Sequence, residues 1–285
     1  MPRSTCKLLW TIESRMCIVL DYAVHNDTTN RGLTIMGNSS PSDAQRVALV
    51  IGGSRGIGAA IVRRMADDGA AVAFTYAASA DKGREVVQEV ESRGGKALAI
   101  RADSSEIAAV QAAVEETVAT FGRLDILVNN AGIMVLATVD RFKVDDFDRM
   151  LAVNVRAPYF AIQAAARHMG SGGRVITIGS IVADRSAFPG SSVYSLTKGA
   201  VATMVRGLAI DLAPRGITVN NVQPGPTLTD MNPADGPHAE KIMKMLPVGR
   251  FGRGDEIAGM VAYLASTEAA FVTGSSMTID GGYLA

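Results

Sequence analysis

The chain has 285 residues, 48% of them hydrophobic, which is enough to bury a sizeable core within one open α/β domain. Its 28 basic and 28 acidic residues cancel, so no overall field attracts a nucleic-acid polymer or an anionic membrane surface. No apolar run reaches the roughly 18 to 20 residues of a membrane helix, and the two cysteines, Cys6 and Cys17, fall outside the body of the chain. Cross-links, thiolate metal sites and a cysteine nucleophile are thereby excluded from that body, and a cytoplasmic setting is expected.

Residues 1–43 show no sustained hydrophobic period. They are expected to be a disordered extension, or to follow from a start upstream of a natural one at Met36. Arg3, Lys7 and Arg15 are offset by Glu13, Asp21 and Asp27, which argues against a transit peptide. Residues 44–285 are expected to be one domain. From Arg46 onward short apolar runs alternate with longer amphipathic segments. Strands are predicted over 47–51, 71–76, 97–101, 125–128, 174–179, 218–222 and 277–279, and helices over 57–68, 81–93, 105–121, 144–169, 193–213 and 255–265. This alternation predicts a single-domain, Rossmann-like, doubly wound parallel sheet of about seven strands. Helices cover both faces and ligands bind at the carboxyl ends of the strands.

The first strand runs into Gly52-Gly53-Ser54-Arg55-Gly56-Ile57-Gly58 and then directly into a helix. Glycines let backbone turn tightly against a pyrophosphate, whose charge the free N–H groups of a helix N-terminus favour. A tight turn is the alternative. The second strand ends Phe74-Thr75-Tyr76-Ala77-Ala78-Ser79, without the carboxylate that NAD sites present to the adenosine ribose. Its absence, with Arg55 available to pair a 2′-phosphate, favours NADP(H) over NAD(H). Asp103, followed by Ser104, either accepts from the adenine amino group or caps the next helix. Asn129-Asn130-Ala131-Gly132 after the fourth strand suits close approach to a ribose, or is a plain turn.

Tyr194 and Lys198 are four residues apart on one helix, so their side chains lie one turn apart on one face. A neighbouring ammonium is expected to lower the phenol pKa and bring proton transfer closer to neutral pH. Ser180 closes the fifth strand, where its hydroxyl can hold a substrate oxygen. Asn154, in mid-helix, can orient a water or backbone group behind Lys198, or face solvent. The three histidines, His25, His168 and His238, show no metal-ligand spacing, and no metal is expected.

Taken in order, Gly52-x-x-x-Gly56-Ile57-Gly58, Asn129-Asn130-Ala131-Gly132, Asn154, Ser180, Tyr194-x-x-x-Lys198 and Pro224-Gly225 resemble the short-chain dehydrogenase/reductases over about residues 44 to 285. General resemblance is to the 3-oxoacyl-carrier-protein reductase-like members. The resemblance implies a catalytic tetrad of Asn154, Ser180, Tyr194 and Lys198. It also implies cofactor contacts from Gly52, Ser54, Arg55, Gly56, Ile57, Gly58, Asp103, Ser104, Asn129, Ala131, Gly132, Tyr194, Lys198, Pro224, Gly225 and Thr227, and a homotetramer or homodimer. In that scheme Ser180 positions a carbonyl, Tyr194 protonates its oxygen and NADPH delivers hydride to its carbon. Ile51 departs from the pattern, since many members carry Thr there, and loss of one internal hydrogen bond is expected. The segment 228–250 is expected to be a mobile lid over a small carbonyl or alcohol substrate, with 183–192 as the opposite wall. A second reading comes from the 229–237 and 270–274 stretches, which look similar to a cyclic-di-GMP-binding member of the same family and imply a nucleotide-binding regulator.

Overall fold

The computed structural model describes residues 45–186, 188–236 and 239–285. The expectations for residues 1–43, including a start at Met36, lie outside the described residues, as do Cys6, Cys17, His25 and His238.

β1 (Val47–Ile51) is buried at all five positions, as a strand covered on both faces must be. The chain continues through α1 (Gly56–Asp67), β2 (Ala71–Tyr76), α2 (Ala80–Ser92), β3 (Lys96–Arg101), α3 (Ile107–Phe121) and β4 (Ile126–Asn129). It then passes through α4 (Val144–Leu151), α5 (Ala157–Ala166), β5 (Arg174–Ile178), α6 (Ser192–Leu212), β6 (Thr218–Pro224), α7 (Ala239–Lys244), α8 (Gly254–Ala265) and β7 (Ser276–Ile279). The seven strands are all parallel, in the order β3-β2-β1-β4-β5-β6-β7. The doubly wound sheet is therefore as expected. After β3 the chain returns to the middle of the sheet, so β1 and β4 are neighbours whose following loops diverge. That divergence opens a crevice at their carboxyl ends.

The two-residue period of the strands sorts the core into two layers. Leu49, Ile51, Leu127, Val175 and Val219 face one side, against Val110 and Val114 of α3, Ala161 and Ile162 of α5 and Val205 of α6. Ala48, Val50, Phe74, Val128 and Ile176 face the other, against Ile61 and Met65 of α1, Val86 of α2 and Ile257 and Val261 of α8. Side chains such as Leu49 and Phe74, with no exposed surface, each stabilise the fold by about 1.5–3 kcal/mol.

One expectation changes form. The helix over 144–169 is not continuous: between α4 and α5 the residues Ala152–Arg156 form a π-helical turn. Pro158, in the first turn of α5, supplies the reason. Proline has no N–H to give Asn154's carbonyl four residues back, and its ring would collide with that carbonyl in a regular helix. The wider turn removes the conflict. The segment after β6, expected as a mobile lid, also carries a short helix, α7.

Candidate active site

The glycine loop is held by its neighbours on both sides. Gly52 has φ +82°, which only glycine adopts without strain. Its N–H donates to Thr75 Oγ1, on the adjacent strand, at 2.9 Å. Its carbonyl accepts from Asn130 Nδ2 at 2.6 Å. At Gly58 a Cβ would stand 2.0 Å from the Gly52 carbonyl oxygen, so no other residue fits. Ser54 is buried, Arg55 forms the N-cap of α1 in extended conformation, and Ile57 and Gly58 begin its first turn. The loop thus presents the N-terminus of α1 at the crevice between β1 and β4.

The catalytic candidates converge on the same edge of the sheet. Lys198 is 5% exposed, donates from Nζ to the Ile178 carbonyl at 2.9 Å, and lies 5.7 Å from the centre of the Tyr194 ring. Burial pulls its pKa down to about 8. Tyr194 is pushed up to about 12 by burial, partly opposed by a hydrogen bond from Ser180. The shift is opposite to the one expected from the ammonium alone. Val182 N–H donates to Ser180 Oγ at 3.3 Å, which leaves the Ser180 hydroxyl hydrogen for the phenol.

Asn154 sits in the π-helical turn, 2% exposed, and its amide is fully engaged. Oδ1 accepts from Ile133 N–H at 2.9 Å, while Nδ2 donates to the Ile133 carbonyl at 2.9 Å and to Thr197 Oγ1 at 3.1 Å. It ties the loop after β4 to α6. A Cβ on Gly132 would lie 3.5 Å from Asn154 Oδ1 and 3.6 Å from Lys198 Nζ, so all three meet at one point. Thr197, Asn130 and Thr75 were given no role of their own in sequence. Thr197 had one signal, a hydroxyl one residue before Lys198, and Asn130 had its place in the Asn-Asn-Ala-Gly run.

The remaining expected contacts line the same edge. Asp103 Oδ1 accepts from both the backbone N–H and the hydroxyl of Ser105, each at 2.8 Å, and these bonds hold its carboxyl below the ordinary range. It braces the turn into α3, whose N-cap is Glu106, and the buried Ser104 lies within that turn. Asn129 is buried beside Thr177, and among the described residues neither atom of its amide has a partner. Ala131 packs on Gly52, where an added Cβ would come within 3.0 Å. Pro224 ends β6 and Gly225 N–H donates to the Ile279 carbonyl. Thr227 turns its hydroxyl back onto the Gly225 carbonyl at 2.9 Å. Arg55 is exposed but not free, because its Nη1 pairs with Asp230 Oδ2 at 3.1 Å. A shallow cleft of about 450 Å³, lined by Tyr76, Ala77, Ala78, Ala80 and Arg101, opens at the end of β2. His168 bonds Glu115 at 3.0 Å, bridging α3 and the end of α5.

These residues fit a dinucleotide. The cradle at Gly52 and Gly58 excludes a Cβ, a helix N-terminus faces it, and an unpartnered buried amide stands at Asn129. The residues lining the cleft at β2 include the cation Arg101 and no carboxylate.

Comparison with known proteins agrees with this geometry. A family model described as enoyl-(acyl carrier protein) reductase matches residues 51–284. The cyclic-di-GMP-binding biofilm dispersal mediator protein of Escherichia coli is 48% identical over 238 residues, covering 84% of this chain and 97% of that protein. A short-chain dehydrogenase/reductase from Serratia marcescens superposes with TM-score 0.83 at 56% identity, covering 85% of this chain and 99% of the other. One from Burkholderia cenocepacia, solved in complex with NADP, gives TM-score 0.83 at 49% identity, with 85% and 99% covered. The chain belongs to the short-chain dehydrogenase/reductase family.

Proposed function

We propose that this protein is an NADP(H)-dependent reductase of carbonyl compounds. The observation that carries the reading is the Ser180–Tyr194–Lys198 cluster, set at the carboxyl edge of the sheet beside the glycine loop. The complex of the Burkholderia relative with NADP supports the choice of cofactor. When bound, the reduced nicotinamide supplies a hydride to the carbonyl carbon. With a substrate in place Ser180 turns its one hydroxyl hydrogen from the phenol to the carbonyl oxygen and fixes its position. Tyr194, fully protonated at neutral pH with a pKa of about 12, donates its proton to the same oxygen as negative charge develops there. Lys198, held by the Ile178 carbonyl, places a positive charge over the phenol face and eases departure of that proton. Asn154 keeps the loop carrying Gly132 at its working distance from Lys198.

Exposed apolar side chains rise around this edge from three successive loops: Leu136, Phe188, Leu228 and Met231. They favour a carbonyl with apolar flanks over a small charged keto acid. The test is NADPH oxidation across aldehydes, ketones, diketones and 3-oxoacyl thioesters. Tyr194→Phe should lower turnover by about 10²- to 10⁴-fold, the usual worth of a general acid, while NADPH still binds. Undiminished turnover in that variant would remove Tyr194 from the mechanism. A second reading, a nucleotide-responsive regulator, is favoured by the 48% identity to the Escherichia coli cyclic-di-GMP-binding protein. It predicts tight binding of cyclic-di-GMP, unaffected by Tyr194→Phe.

A further inference from the structure

Two cations from different elements meet on one oxygen. Arg55 Nη1, from the glycine loop, and Lys82 Nζ, from the first turn of α2, each lie 3.1 Å from Asp230 Oδ2. Their pull, that of Lys82 first, holds the Asp230 carboxyl below its ordinary range. Asp230 is the second residue of a tight turn, in which Thr229 N–H donates to the Asn232 carbonyl at 3.3 Å and Asn232 N–H donates back at 2.9 Å. Asn232 Nδ2 braces the turn against the Thr227 carbonyl at 3.2 Å. The turn lies on the glycine loop, for a Cβ on Gly56 would come 3.4 Å from Thr229 Cγ2. The segment after β6 is therefore moored on two cations, of which Lys82 lies two residues beyond Ala80 in the lining of the cleft at the end of β2.

Resting on the reading that NADP(H) binds here, we propose that Lys82 joins Arg55 in selecting the 2′-phosphate and that Asp230 is their built-in rival. The Asp230 carboxylate occupies the pair and moors the segment after β6, and it must release both cations when a 2′-phosphate arrives. A phosphate brings up to two charges and three acceptor oxygens against one singly charged carboxylate, so it wins the exchange. NAD(H), with a hydroxyl at that position, offers no competing anion and leaves Asp230 in place. All three side chains are exposed, and contacts of that kind are individually weak, which suits a latch that must open. The identity of the cofactor is thus relayed to the segment that borders the substrate, because a ligand shifts a conformational balance only by what it does differently in the two states.

The test is titration of NADPH and NADH, followed by nicotinamide fluorescence, on the full chain and its variants. Asp230→Asn should tighten NADPH roughly three- to tenfold, the scale of losing exposed charge pairs, with NADH changed by less than about twofold. Lys82→Met should weaken NADPH and spare NADH. Amide exchange over residues 229–232 should quicken with adenosine 2′,5′-bisphosphate, which lacks nicotinamide, and stay unchanged with adenosine 5′-monophosphate. Unchanged or weakened NADPH binding in Asp230→Asn, equal tightening of NADH, or exchange that ignores the bisphosphate would each overturn the latch. If the wild-type chain does not prefer NADPH, the cofactor reading falls and the latch falls with it. If it does prefer NADPH and Arg55→Ala removes that preference while Asp230→Asn does nothing, the latch alone falls.

Discussion

Burial of Lys198 lowers its pKa to about 8, while burial of Tyr194 raises its own to about 12. The two shifts share one cause, the poor solvation of charge, and act in opposite senses because lysine is charged when protonated and tyrosine when deprotonated. Below about pH 8 the site holds an ammonium beside a neutral phenol, which is the arrangement that carbonyl reduction needs. Above it the ammonium is lost first and the phenol keeps its proton. The pH profile of kcat/KM for carbonyl reduction is therefore expected to fall through a single limb centred near pH 8. A profile flat to pH 10 would show that Lys198 charge does not assist the step.

At the scale of an element, the π-helical turn Ala152–Arg156 is the part of the scaffold most directly tied to the site. Asn154 satisfies both backbone groups of Ile133 and reaches Thr197 as well. Asn154→Ala should cost about 1–3 kcal/mol in urea denaturation, because the half-buried Ile133 loses both partners and the buried contact with Thr197 goes with them. It should also lower kcat more than KM, and Thr197→Val, which removes a single partner, should cost less on both counts. Regular elements were legible in the sequence because their signal is local: the apolar run Val47–Ile51 and the two-residue alternation that separates Leu49 from Val50 announce buried strands. Of the tetrad, only the Tyr194–Lys198 pair was legible as spacing; Ser180 and Asn154 were joined to it by the family resemblance, and the four residues lie at the same edge of the sheet. The π-helical turn was not, since one extra residue per turn barely alters an apolar face; Pro158 was its only cue. Nor was the mooring of Asp230, because its partners Arg55 and Lys82 lie 175 and 148 residues away along the chain. A phenol pKa moving up rather than down was equally hidden, since burial is set by the whole fold.

Across the whole molecule, stability and chemistry occupy opposite ends of the sheet. At the amino ends Arg46 Nη1 donates to the Ala265 carbonyl at 2.6 Å, and Arg174 donates to Ser266 and Gly173 carbonyls at 3.1 Å each. Both fasten the end of α8 beneath strands β1 and β5. Arg174→Met should therefore cost about 1–3 kcal/mol by leaving the Ser266 carbonyl unpaired, the Gly173 carbonyl keeping the Thr218 N–H, without changing NADPH affinity. Thermal denaturation beside an NADPH titration measures both, and a loss of affinity equal to the loss of stability would show that the two ends are not independent. At the carboxyl ends the hydroxyl that anchors Gly52 comes from Thr75, on β2, rather than from β1. The strand that steadies the glycine loop is thus the one whose carboxyl end, one residue on at Tyr76, borders the cleft where the coenzyme is proposed to be chosen. Anyone transplanting the 76–82 region from an NAD-preferring relative must leave Thr75 untouched. A graft begun one residue too early would alter coenzyme choice and unseat the diphosphate cradle in the same stroke, and the two failures would look identical in an activity screen.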